Sequence, residues 1–143
     1  MNLLAPCNTL SYGVVAVNIA VELEKLYPNL VFHNIGNEAE CEAKFAPKMR
    51  KLFSKKYSSR EDCVRIWHSH ALKEFIGKGR HFGFPIFELD GFPESEIHDM
   101  GQLDGIFVCS QWAKNVLVNC GLEESKIFVV PLGVDRDFFY PYS

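Results

Sequence analysis

The sequence predicts an α/β domain in which helices wrap a mostly parallel sheet. Three observations lead there. Short apolar runs alternate with amphipathic stretches along the 143 residues, the order of a parallel α/β domain. The runs FPIFEL, IFVC and IFVV are almost continuously hydrophobic, as strands covered on both faces must be. Glycine, proline, asparagine and aspartate punctuate the boundaries. The length suits one domain with a sizeable core, spanning residues 1–143.

The first strand is expected at Asn2–Ala5. The loop PCNTLSYG follows, then a helix whose apolar positions Val15, Ile19, Leu23 and Leu26 fall on one face. Pro28 and Asn29 end that helix, and Leu30–Ile35 reads as the second strand. A polar region runs from Glu38 to Asp62. Val64–Trp67 is the third strand, and Phe84–Leu89, bounded by Gly83 and Asp90-Gly91, the fourth. A helix begins near Pro93, with Glu94 and Glu96 at its positive end. Ile106–Cys109 and Ile127–Val130 complete the strands, separated by a helix that Ser110 caps and Gly121 ends.

Composition removes several classes of function. Apolar residues make up 48% and charged residues 23%, the formal charge is −3 and the pI about 5.9, so no nucleic-acid surface is expected. Five cysteines, at 7, 41, 63, 109 and 120, form no CxxC pair and no zinc-like spacing, which points to reduced thiols in the cytoplasm. The start MNLLAPC lacks the basic residues and long apolar run of a signal peptide. The mostly apolar run Val14–Val21 is far short of the ~20 residues that span a bilayer.

In open parallel sheets ligands sit beyond the carboxyl ends of the strands, so the residues after each strand are the candidates. After the first strand, Ser11, Tyr12 and Gly13 lead into a helix amino terminus suited to phosphate or sugar hydroxyls. Gly13 serves equally well for close packing of helix on strand. After the third, His68 and His70 share a face of an extended chain. With no third ligand nearby in sequence, they line a cleft rather than hold a metal, and no metal is expected. After the fourth, Glu88 and Asp90 stand two apart at the end of a hydrophobic run. Either carboxylate suits a base or a sugar-orienting group, although Asp90 also suits an Asx-turn with Gly91. After the fifth, Ser110 reads as a cap, and the Trp112 indole suits stacking on a sugar ring or packing beneath the cleft.

Away from the strands, seven basic residues and no acidic one lie between Lys44 and Arg60. Phe45, Met49, Leu52 and Phe53 recur there at helical spacing, so the segment reads as a basic amphipathic helix with Pro47 in its first turn. Such a helix is either an ordinary solvated face or a peripheral contact with anionic lipid or a partner.

The run DGIFVCSQWAKNVLVNCGLEESKIFVVPLGVDRDFFYP resembles the end of the amino-terminal domain of GT-B glycosyltransferases of the retaining, nucleotide-sugar-dependent group (glycosyltransferase group 1, family 4-like). Asp104, Ser110, Gly121, Pro131, Gly133, Val134, Asp135, Phe139 and Pro141 fit the family's order. The loop after the first strand is similar to the family's glycine loop, with Gly13 alone where a glycine pair is usual. The family places a catalytic-cleft histidine or acid at the end of the fourth strand, which here falls near Asp90, with Glu88 beside it.

The resemblance implies a Rossmann-like three-layer sandwich forming half of a GT-B architecture. It would bind a sugar or glycan acceptor and face a second domain that holds the nucleotide-sugar donor. Sugar would pass from donor to acceptor hydroxyl with no cofactor and no obligatory metal. Gly133 and Asp135 would lie in the interdomain loop, and a separate carboxy-terminal domain would be a partner. The donor-binding residues of that domain have no counterpart in these 143 residues, so the chain is expected to be inactive or nearly so by itself. It would then be a truncated domain, half of a split gene, or a stand-alone module that binds glycan, nucleotide or a membrane surface without turnover.

Overall fold

The computed structural model describes residues 1–141. Among them, six strands form one sheet: β1 (Asn2–Ala5), β2 (Val31–Asn34), β3 (Cys63–Ile66), β4 (His81–Phe84), β5 (Gly105–Val108) and β6 (Ile127–Val129). Every pairing is parallel and the order is β2-β1-β3-β4-β5-β6. Helices α1 (Ser11–Leu26), α2 (Ala46–Ser54), α3 (Glu94–Gly101) and α4 (Gln111–Asn119) lie on both sides and make four of the crossovers, while β3 passes to β4 through the short 3-10 turn Ser69–Ala71. The protein is therefore a Rossmann-like three-layer α/β fold, as its alternating pattern predicts.

Two cores follow from the period-two alternation of the strands. Leu3, Ala5, Phe32, Ile66 and Phe84 point to one face, under Ala16, Val17, Ala20 and Val21 of α1 and Met49 and Leu52 of α2. Ile106, Val108 and Ile127 point to the other, under Met100 of α3 and Ala113 and Leu117 of α4. On the same side as α1 the sheet continues past Phe84 with aromatic side chains. Phe82, Phe107 and Phe128 stack there in a row, with centroids 5.6 and 6.0 Å apart, and Phe128 is 47% exposed.

Two expectations are corrected. The buried face of α1 is the small-residue stripe Gly13, Ala16, Val17, Ala20, Val21; of the expected Val15, Ile19, Leu23 and Leu26, Ile19 and Leu23 pack partly buried at its edge and Leu26 is 75% exposed. Small side chains let the helix lie close to the sheet, while the larger ones flank it. The fourth strand is His81–Phe84 rather than Phe84–Leu89. Pro85 follows directly and has no N–H to donate to a ladder, so the apolar run FPIFEL leaves the sheet after its first residue. Gly83, read in sequence as a boundary, lies inside the strand because Leu103 and Leu72 press on it: a Cβ there would stand 2.8 and 3.2 Å from their methyls.

The ends of α4 are as expected. The Ser110 hydroxyl accepts from the Ala113 amide at 3.2 Å. At the other end Gly121 has φ 93°, its amide donates to the Val118 carbonyl at 2.9 Å and the Leu122 amide to Leu117 at 3.1 Å. That is a Schellman closure, with Leu122 packed in the same cluster as Leu117.

Candidate functional site

Because all strands are parallel, their carboxyl ends share one edge. The chain runs from β1 to β2 on one side and then crosses back past β1 to β3, so the direction of winding reverses between β1 and β3. The loops that diverge at such a reversal leave a crevice, the preferred ligand position of open α/β sheets.

Aromatic side chains gather there. Trp67, His68 and His70 follow β3, and Tyr12 reaches them from the first turn of α1. The Tyr12 ring lies 4.5 Å from His68 and 5.8 Å from Trp67, Trp67 meets His68 edge-on at 5.1 Å, and His68 stacks on His70 at 5.3 Å and 19°. Both histidines are exposed. The Tyr12 hydroxyl donates to the Ile86 carbonyl, which ties the loop after β4 to the same cluster. Burial pushes the Tyr12 phenol above its ordinary value, so it stays a protonated donor.

The sequence expectations fare differently here. Ser11, Tyr12 and Gly13 lie within α1 rather than in the preceding loop. The reason is local: Asn8 Oδ1 accepts from the Leu10 amide at 3.0 Å, an Asx-turn that starts the helix early. Gly13 is required for close approach, but to the Asn8 loop rather than to a strand: a Cβ would come within 2.2–2.6 Å of Asn8 Oδ1, O and N. His68 and His70 do meet, though not along an extended chain, because Ser69–Ala71 forms a 3-10 turn. Among the described residues, no three His, Cys, Asp or Glu side chains cluster as a metal would need.

Glu88 and Asp90 do not end a strand. They lie four and six residues beyond β4 on an exposed loop, without a hydrogen bond or ion pair among the described residues. That loop has two anchors, Ile86 on Tyr12 and Phe87 against Phe92 at 4.9 Å and Trp112 at 6.0 Å. Trp112, 49% exposed on α4, therefore forms a second aromatic station on the same rim. Gly133 is exposed with open space around it, and Asp135 reaches Lys44 at 3.6 Å.

Trp67 and Phe87 were not singled out from sequence. In sequence Trp67 is only the last residue of the expected third strand, and the reversal between β1 and β3 is what gives it importance. Arg65 was also missed. It is 3% exposed in β3 and braces the turn after Leu72, donating through Nη1 to the Glu74 carbonyl at 2.7 Å and through Nη2 to Glu74 Oε2 at 3.0 Å.

The basic segment folds as α2, with Met49 and Leu52 buried and Phe53 edge-on to Phe32 at 5.4 Å. Its apolar face thus belongs to the core. Lys51 and Lys55 pair with Glu24 at 2.7 and 3.4 Å, leaving Lys48, Arg50, Lys56 and Arg60 without an ion pair among the described residues. Among the described residues no helix is long and apolar enough to cross a membrane.

Comparison with protein-family models, curated proteins and solved structures finds no match.

Proposed function

We propose that the chain is the acceptor-side half of a GT-B-type glycosyltransferase, which positions a sugar or glycan acceptor while a donor-side domain presents a nucleotide sugar. The observation that carries this reading is the Tyr12–Trp67–His68–His70 cluster at the winding reversal. Sugar rings present C–H faces that aromatic rings cover well, and exposed imidazoles offer hydrogen bonds to hydroxyls. The PLGVDRDFFYP run, on the same edge through the contact of Asp135 with Lys44, supports an approach to a partner domain. The exposed Glu88 and Asp90 are the carboxylates available on that rim to act as base, once the loop that carries them closes on a bound acceptor. The five free thiols fit a reducing, cytoplasmic setting.

Transfer between two bound molecules depends on holding them together, so one half of the cleft alone forfeits most of the acceleration. The chain should bind saccharide without turnover and transfer sugar when a donor-binding domain is supplied. A second reading, a binding module without chemistry, is favoured by the distance in sequence and lack of contacts that separate Glu88 and Asp90 from the histidine pair. The test is titration with a panel of mono- and oligosaccharides, followed by assay with labelled nucleotide sugars and an added donor-side domain. Saturable binding that His68→Ala weakens about tenfold supports both readings, since one well-formed polar contact is worth roughly that much. Transfer on addition of the second domain selects the enzyme; flat titrations together with no transfer overturn both.

A further inference from the structure

We propose that Cys7 and Cys41 form a peroxide-sensitive dithiol, whose oxidation to a disulfide clamps the segment from Gly36 to Phe45 onto the carboxyl end of β1. The placement rests on backbone and packing. Cys7 lies two residues beyond β1, is 1% exposed, and its amide donates to Asn34 Oδ1 at 2.8 Å. The incoming segment is hydrogen-bonded to it on both sides: the Glu40 amide donates to the Cys7 carbonyl at 2.9 Å, and the Cys7 thiol donates to the Glu40 carbonyl at 3.7 Å. Cys41 is the next residue, packs against the core cluster that holds Cys7, and is partly exposed. The segment between β2 and α2 has no regular structure up to Cys41, and Gly36, with φ 137°, turns the chain as it leaves β2. Cys41 also lines a small cavity of about 50 Å³ together with Asn8, Thr9, Asn18, Glu42 and Phe45, so the clamp would act on the loop that abuts Gly13 and the first turn of α1.

The two thiols divide the chemistry. Cys41, the accessible one, attacks a peroxide oxygen as the thiolate; the O–O bond breaks, Cys41 becomes a sulfenic acid, and the departing oxygen leaves as water after taking up a proton. Cys7 sulfur then attacks the Cys41 sulfur, the S–O bond breaks, and the sulfenic oxygen leaves as a second water with the Cys7 proton. Two thiols and one hydrogen peroxide thus give one disulfide and two waters. Burial holds the Cys7 thiol protonated, pushed up to about 11, with Cys41 close enough to add to the effect. Cys7 is therefore the resolving thiol rather than the sensor. The proposal does not depend on the glycosyltransferase reading.

The test uses the 143-residue chain, reduced, desalted and exposed to hydrogen peroxide, with the remaining thiols alkylated and the peptides mapped without reduction. A Cys7–Cys41 linked peptide that dithiothreitol reverses is the expected main product. Cys41→Ser should remove it and slow loss of the Cys7 thiol about tenfold, since the buried sulfur is then left without its accessible partner. Cys7→Ala should leave Cys41 as a sulfenic acid that dimedone traps. Tryptic cleavage after Lys44 should slow about fivefold on oxidation, because the clamp suppresses local opening. A different cross-link as main product, Cys41 passing to sulfinic acid beside an intact Cys7 thiol, or an unchanged cleavage rate in the cross-linked form would each overturn the proposal.

Discussion

Gly13 shows how a single residue sets the site. The Asn8 loop lies so close to the first turn of α1 that any side chain at 13 would overlap backbone atoms. Gly13→Ala should therefore cost about 1–3 kcal/mol by urea denaturation, the usual range for overpacking, and it should also displace Tyr12 from Ile86. His33 is one residue through which pH acts near neutrality. It sits edge-on to Tyr57 at 5.5 Å, and burial lowers its pKa from 6.5. A histidine with a lowered folded pKa binds fewer protons folded than unfolded, so its contribution is present above 6.5 and is lost as pH falls below that value. Stability should decline from pH 7 towards about 5, and His33→Gln should flatten the decline in thermal melts. Asp62 extends the trend to lower pH: its hydrogen bond from Arg80, at 2.6 Å, holds the carboxyl below its ordinary 3.8, so acid removes that contribution too.

Among the elements, α4 was the most legible, because capping is local chemistry. Ser110 and Gly121 stand where a helix needs an acceptor for its free amides and a left-handed residue for its last carbonyls. Ser110→Ala should cost about 1 kcal/mol. Gly121→Ala should cost about 1–2 kcal/mol by forcing a Cβ into positive φ, both read as shifts of the denaturation midpoint. Helix α1 and strand β4 were less legible, for opposite reasons. In α1 hydrophobicity points to the large residues, whereas distance to the sheet selects the small ones. In β4 the apolar signal continues beyond Pro85, but hydrogen bonding cannot. Helix α2 reads from sequence as either an ordinary solvated helix or a peripheral contact with lipid or a partner; packing against Phe32 and the sheet accounts for the spacing of its apolar residues.

On the scale of the molecule, function depends on where six loops come together. Trp67 belongs to the cluster at the reversal and Trp112 to the second station beside Phe87, so the two indoles report different parts of one rim. Saccharide binding should change tryptophan emission, and the change should persist in Trp112→Phe but vanish in Trp67→Phe if the reversal is the main subsite. The same edge carries the Asn8 loop, the segment bearing Cys41 and the Asp135 contact with Lys44, so ligand and redox state should be felt together there.

By itself the sequence determined the alternation of strands and helices, the parallel α/β class and the capping of α4. These depend on local periodicity and on residues whose backbone preferences travel with them. Tertiary structure alone decided which face of α1 is buried, where β4 stops, that Tyr12 and Trp67 join the two histidines, and that Cys41 is brought beside Cys7. Each of those is a relation between segments far apart in the chain. It is set by how closely the sheet lets them approach and by which backbone groups remain free to bond, and neither is written at any single position.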